Sequence, residues 1–267
     1  MDKSSLDTWQ SLSPEAARSA MLSKENTDRA KHVLASLTPD PTFTKIVVDA
    51  IDAGRLDLRL GISWLAATIK PDKYLEIGVR RGFSMAVLAA ARPQATIYGF
   101  DMWIKNYVGV QNPGPAFVRG ELGRVGYEGS VTFVDGNSHR TLPRFFGDSS
   151  YPILDRVWGR TVHAPYADFD MVLVDGDHSI QGAHQDLLQV TGHIRIGGCL
   201  VFDDIAPDLS QFNAAGLEAI RRELGPDPRG LKGLHGVWRA IQDERPNFKY
   251  FEFTQDSPGL AFAIRMS

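Results

Sequence analysis

The sequence predicts an α/β fold: a doubly wound, Rossmann-like sheet of seven strands with a helical cap before it and an antiparallel hairpin at its end. Three observations carry this expectation. From Lys73 onward, short β-rich runs alternate with helix-patterned stretches, the signature of parallel βαβ units. Each run ends at a polar or glycine residue, where an open parallel sheet gathers its ligands. The tail NFKYFEFTQDSPGLAFAIRM sets two further β-rich runs around an Asp-Ser-Pro-Gly turn, which reads as a hairpin.

In chain order, residues 1–70 read as the helical cap and residues 71–267 as the α/β domain. Ser13-Pro14 and Thr27 supply helix starts, and Ile46, Val47, Ala50 and Ile51 recur at helical spacing. Strands are expected at Tyr74 to Ile77, Thr96 to Phe100, Val131 to Val134, Met171 to Val174 and Leu200 to Phe202. That arrangement puts Glu76, Asp101, Asn137, Asp175 and Asp203 on one carboxyl edge. The stretch from Gly147 to Asp168 is longer than a usual αβ connection and is expected to cover a pocket.

Composition narrows the partners. With 267 residues and 43% hydrophobic content, the chain can bury a substantial core. A net charge of -3 gives no broad basic field, so a small-molecule substrate is expected and nucleic acid is not. The single cysteine, Cys199, lies in an apolar run, which excludes a disulfide framework and a cysteine-rich zinc site and points to a reducing cytoplasm. The N-terminal stretch has no signal-type apolar core. No later stretch approaches the roughly 20 apolar residues needed to span a bilayer. Homo-oligomerisation stays open.

Two blocks carry chemistry. In YLEIGVRRGFS, Gly78 and Gly82 permit a tight turn and close backbone approach to a ligand at a helix start. The first glycine of a dinucleotide fingerprint is replaced by Glu76, and an acid there repels a pyrophosphate and favours a cationic ligand. S-adenosylmethionine fits, with Glu76 near its amino acid end and Asp101 at its ribose; the competing view is that both acids are merely polar strand ends. The second block, VLVDGDHSIQGAHQDLLQVTGHIRIGGCLVFDDI, delivers Asp175 and His178 after one strand and Asp203-Asp204 after the next. Three carboxylates are hard oxygen ligands of the kind that suits Mg²⁺. His178 has an ordinary pKa of about 6.5 and can accept a proton near neutrality. Asp177 is read as solvent-facing or orienting.

The arrangement Glu76-x-Gly78-x-x-x-Gly82-x-Ser84 resembles the first motif of class I S-adenosylmethionine-dependent methyltransferases, in particular the metal-dependent O-methyltransferases related to catechol and caffeoyl-CoA O-methyltransferases. The resemblance spans Tyr74 to Ile205, and the V-D-G-x-H pattern with its acidic pair extends it to the macrocin-type, macrolide-sugar enzymes. It implies that Ser84 helps to bind the donor's carboxylate, that Asp101 holds the ribose, and that Asn137 and Ser138 contact the adenine. It further implies that Asp175, Asp203 and Asp204 ligate the metal, with Asp175 also beside the donor and His178 as the base. The implied reaction is Mg²⁺-dependent methyl transfer to a hydroxyl of a glycoside or other small, natural-product-like acceptor. Trp103, Tyr107, Trp158, His163, Tyr166 and Trp238 are read either as selecting the acceptor or, equally, as rings that close a hydrophobic core, and Arg80 and Arg81 either meet a carboxylate or lie on the solvated surface. A metal-free methyltransferase, an NAD-binding oxidoreductase and a non-catalytic relative remain as alternatives.

Overall fold

A computed structural model of the chain describes residues 3–40, 43–105, 112–147, 168–205, 229–256 and 258–267. The N-terminal segment forms helices α1 (Lys3–Ser11), α2 (Pro14–Met21), α3 (Lys24–Ser36), α4 (Phe43–Asp52) and α5 (Leu58–Ile69). Helix α2 starts as the sequence predicts, with Pro14 in its first turn and Ser13 accepting from the Ala16 N–H. The next start is Ser23 rather than Thr27: Ser23 caps α3, and Thr27 lies one turn inside, its hydroxyl donating to the Lys24 carbonyl. In α4, Val47 and Ile51 are buried whereas Ile46 is 58% exposed, so the apolar stripe is narrower than its four-residue pattern.

The sheet follows as β1 (Lys73–Ile77), β2 (Thr96–Asp101), β3 (Val131–Asp135), β4 (Phe169–Val174), β5 (Ile194–Asp203), β6 (Phe248–Phe253) and β7 (Leu260–Arg265). Its order is β3-β2-β1-β4-β5-β7-β6; β1 to β5 run parallel, and β7 runs antiparallel to both β5 and β6. This is the Rossmann-like, doubly wound sheet that the sequence predicts, hairpin included. Strand β5 begins six residues earlier than the apolar run implies, because its first half, Arg195 to Gly198, is polar and glycine-rich and pairs across a register shift. Helices α6 (Phe83–Ala91), α7 (Pro115–Arg124), α8 (Ser138–Phe145), α9 (Ile180–Thr191) and α10 (Arg229–Glu244) connect the strands.

Alternation along the strands divides the core into two layers. Tyr74, Met171, Val201 and Phe262 face the layer that includes Trp9, Leu34, Leu60 and Met85 of α1, α3, α5 and α6. Leu75, Val172, Leu200 and Ala263 face the opposite layer, with Phe145, Leu187 and Trp238 of α8, α9 and α10. The N-terminal helices thus share one apolar layer with the sheet. Lys249 on β6 ties α1 down, its ammonium donating to the carbonyls of Trp9, Gln10 and Leu12 at 2.8, 2.6 and 2.8 Å. Among the described residues no helix is long and apolar enough to cross a membrane.

Strand order reverses between β1 and β4, so their loops diverge and leave a crevice at the carboxyl edge. In register, Glu76 sits beside Gly99 and Leu173, and Asp101 beside Asp135. The acids the sequence places at strand ends therefore share one edge.

Candidate active site

The β1–α6 loop is shaped by two left-handed glycines. Gly78 has φ 88°, and a Cβ there would lie 1.9 Å from the Asp175 carbonyl oxygen; the β1 and β4 loops touch at this point. Gly82 has φ 72° and begins α6, where a Cβ would lie 2.5 Å from Val118 Cγ1. Between them, the Arg80 N–H donates to Asp101 Oδ2 at 2.7 Å, while Asp101 Oδ1 accepts from the Trp103 N–H at 2.6 Å and Asn112 Nδ2 at 3.1 Å. Asp101, expected at the ribose, also fastens the β1–α6 loop.

Glu76 is fully buried below this loop. Ser84 Oγ donates to its Oε1 at 2.6 Å and the Tyr74 hydroxyl to its Oε2 at 2.8 Å. Burial pushes the Glu76 carboxyl up to about 8; the two hydrogen bonds pull the other way, and the charges of Asp175 and Asp101 add to the rise. Ser84 thus faces Glu76 at the start of α6. One strand over, Asn137 caps α8 by accepting from the His139 N–H at 2.9 Å, with Ser138 as the first helical residue. The Gly136 N–H donates to the Asp101 carbonyl at 3.0 Å, which joins this turn to the end of β2.

Across the crevice, Asp175, His178 and Asp204 bring one ligand atom each within 4.8 Å of one another. His178 Nε2 lies 2.7 Å from Asp204 Oδ2 and 3.6 Å from Asp175 Oδ1, and its Nδ1 meets the Gly176 carbonyl at 3.0 Å, which fixes the ring. The side chains keep 27% (Asp175), 19% (His178) and 26% (Asp204) of their surface accessible, so a ligand can reach them. Burial alone would lower the His178 pKa, but the Asp204 hydrogen bond and the charges of Asp204 and Asp175 outweigh it and carry it to about 10. Burial and the Asp204 charge push Asp175 up to about 7, with His178, Arg59 and Arg80 opposing.

Asp203 is outside this trio. It is buried, its Oδ1 makes no hydrogen bond, and burial followed by the charges of Asp204 and Asp175 holds its carboxyl far above the usual range. The field opposing that rise comes from Arg59 on α5, a residue the sequence reading missed. Arg59 is buried beside Asp57 at 3.3 Å and lies over the Phe43 ring at 4.8 Å. The available signal was an arginine inside the otherwise apolar run LRLGISWLAATI.

The remaining candidates divide. Asp177 Oδ1 accepts from the Ser179 N–H at 2.8 Å and so shapes the turn ahead of α9. Trp238 is a core residue stacked on Phe202 at 5.9 Å, so the acceptor reading of it is corrected: α10 lays its apolar face on the sheet. Trp103 packs edge-on against Phe133 at 5.6 Å. Arg81 is held over the Phe117 ring at 4.8 Å and near Asp40 at 3.7 Å, and Arg80 lies 5.6 Å from the Phe43 ring; neither is a free surface arginine. Tyr107, Trp158, His163 and Tyr166 lie outside the described residues. His184 and His235 contact acids away from the site, Glu244 at 2.9 Å and Glu252 at 3.2 Å. A further acid–histidine contact lies near the α8 terminus: His139 Nε2 is 3.5 Å from Asp186 Oδ1, and Asp186 is fully buried on α9 with its carboxyl raised by burial to about 6.

Residues 75–205 match the family model described as a methyltransferase domain. No functionally curated protein matches the chain in sequence. Among solved structures, the SAH-bound methyltransferase of Podospora anserina is 16% identical with a TM-score of 0.53, over 92% of this chain and 89% of that one. The O-methyltransferase from Bacillus cereus in complex with SAH is 14% identical with a TM-score of 0.51, over 91% of each chain. These likenesses show the fold.

Proposed function

We propose that this chain, whose residues 75–205 carry a methyltransferase domain, moves a methyl group from S-adenosylmethionine to the hydroxyl of a small acceptor. The observation that carries the reading is the close approach of two acid-bearing loops at one sheet edge: Gly78, which follows buried Glu76, packs against the backbone of Asp175, and His178 follows on that second loop. A sulfonium and an ammonium are the charges such an edge favours. Glu76 accepts from the ammonium, Asp101 offers the remaining lone pair of Oδ2 to the ribose, Ser84 turns to the carboxylate, and Asn137 and Ser138 receive the adenine.

A divalent cation fits the acids on the other side. Asp203 Oδ1 is buried without a partner, and Asp203 and Asp175 are both raised by burial and then by the charge of Asp204, a repulsion that a cation would relieve. We assign Asp175, Asp203 and Asp204 as the residues that would hold Mg²⁺. When bound, it supplies the positive charge that acidifies an aliphatic hydroxyl. Against the pull of burial, the Asp204 hydrogen bond and the Asp204 and Asp175 charges raise the His178 pKa to about 10, so engagement of those acids by a cation would be what frees Nε2; the neutral ring, set by the Gly176 carbonyl, would then take the hydroxyl proton there. The acceptor oxygen bonds to the methyl carbon as the carbon–sulfur bond breaks, leaving S-adenosylhomocysteine (SAH) and no covalent protein intermediate.

The resemblance to macrolide-sugar enzymes favours a glycoside or another natural-product-like alcohol as acceptor. The lone free and buried Cys199 fits a cytoplasmic protein, and a homo-oligomer is compatible with the fold. A second reading rests on the 2.7 Å contact between His178 and Asp204, an acid–histidine pair able to act without metal. Calorimetric titration with SAH, with and without Mg²⁺, followed by an acceptor screen under chelation, separates them. Activity that survives complete chelation selects the metal-free reading, and binding of NAD but not SAH overturns both.

A further inference from the structure

Asp186 is a fully buried carboxylate that the proposed chemistry does not use. It projects from α9, and its neighbours belong to two different loops. On one side are the Ser138 hydroxyl and His139, in the first turn of α8, where the adenine is assigned. On the other is the Asp177 backbone N–H, in the turn between Asp175 and His178. A Cβ at Gly176 would approach Asp186 Oδ2 at 3.6 Å, so the carboxylate lies directly against that turn. His139 Nε2 is shared between Asp186 Oδ1 at 3.5 Å and the Gly182 carbonyl at 3.2 Å.

These contacts are near but not tight: neither Asp186 oxygen makes a short, well-aligned hydrogen bond. Burying a carboxylate without such bonds is costly, and a small movement of either loop would complete them. The side chain is thus placed to sense one loop and restrain the other.

We propose that Asp186 is a positioning residue through which donor binding at Asn137 and Ser138 sets the loop that carries Asp175 and His178. The inference rests on the donor reading above. Adenine settling on the α8 terminus draws Ser138 and His139 onto the carboxylate, which then holds the Asp177 N–H and the base beside it. Donor occupancy and base placement become one coupled event.

Backbone hydrogen exchange with and without SAH tests it on the full chain. In the wild type, SAH slows exchange in residues 137–141 and in residues 177–182. In Asp186→Asn, slowing persists in the first segment and falls about fivefold or more in the second. Equal slowing of both segments in the variant overturns the proposal. His139→Gln, which keeps the carboxylate, is the second variant should Asp186→Asn fail to fold; it too should weaken slowing at 177–182, and wild-type slowing there would overturn the proposal. Absence of SAH binding to the wild type would overturn the donor reading and this inference together, whereas binding with unchanged coupling removes this inference alone.

Discussion

Gly78 and Asp175 meet backbone to backbone: the space a Cβ would need at Gly78 is filled by the Asp175 carbonyl oxygen, 1.9 Å away. The donor loop and the acid loop are therefore packed on each other at this point. Gly78→Ala must either push the loops apart or abandon the left-handed φ of 88°. The expected cost is about 1–3 kcal/mol of stability, with SAH affinity reduced more than tenfold, read by thermal unfolding and calorimetry. Wild-type affinity in this variant would mean that the loops do not form the donor site.

Glu76 makes stability depend on pH in a defined sense. Its carboxyl moves from an ordinary value of 4.5 to about 8 in the fold, so between those values the folded chain holds a proton that the unfolded chain has lost. The Glu76 contribution to stability therefore declines as pH rises from about 4.5 to about 8. Glu76→Gln should flatten that decline in denaturant titrations across this window. The cationic end of the donor stabilises the ionised acid, so SAH binding near pH 7 should release a proton. Calorimetry in buffers of different ionisation enthalpy measures that release, which Glu76→Gln should abolish.

The acid pair should separate donor binding from chemistry. Asp203→Ala and Asp204→Ala are each expected to abolish Mg²⁺-stimulated turnover while SAH affinity stays within about threefold, a change of roughly 0.6 kcal/mol. Unchanged turnover in both variants removes the metal from the mechanism. His178→Ala should lower the turnover number by about 10² to 10⁴, and a loss below tenfold would reduce His178 to a positioning role.

Away from the crevice, Lys249 offers a test that leaves chemistry alone. Its three bonds to the end of α1 are charge-assisted, and Lys249→Met should cost about 1–3 kcal/mol in unfolding experiments without altering SAH affinity. A stability within 0.5 kcal/mol of wild type, the range of ordinary surface substitutions, would mean that the cap contributes little.

What the sequence revealed and what it hid follow from the range of the interactions. Strand ends, the Gly78 and Gly82 turn, the Ser13-Pro14 start and the hairpin are local patterns, readable within a few residues. Ser23 was overlooked for Thr27 because both offer a hydroxyl and only the end of α2 at Leu22 decides between them. The polar half of β5 carried no apolar signature. Arg59 and Asp186 were invisible for a different reason: their meaning comes from Asp203 and His139, far away in sequence and adjacent only once the sheet has formed. Trp238 could be read as a ligand-stacking ring or a core one because an aromatic residue in an amphipathic helix gives no sign of which neighbour will cover it.

Strand β7 lies between β5 and β6 although it is made after both. During synthesis, β5 leaves the ribosome with one edge unsatisfied, and β6 has no partner until the final strand arrives between them. Asp203 pairs in register with Leu260, the first residue of that late strand. The outer side of the Asp203 position is therefore covered only when the last strand arrives, and a nascent chain halted before Leu260 would carry an open, adhesive sheet edge beside it.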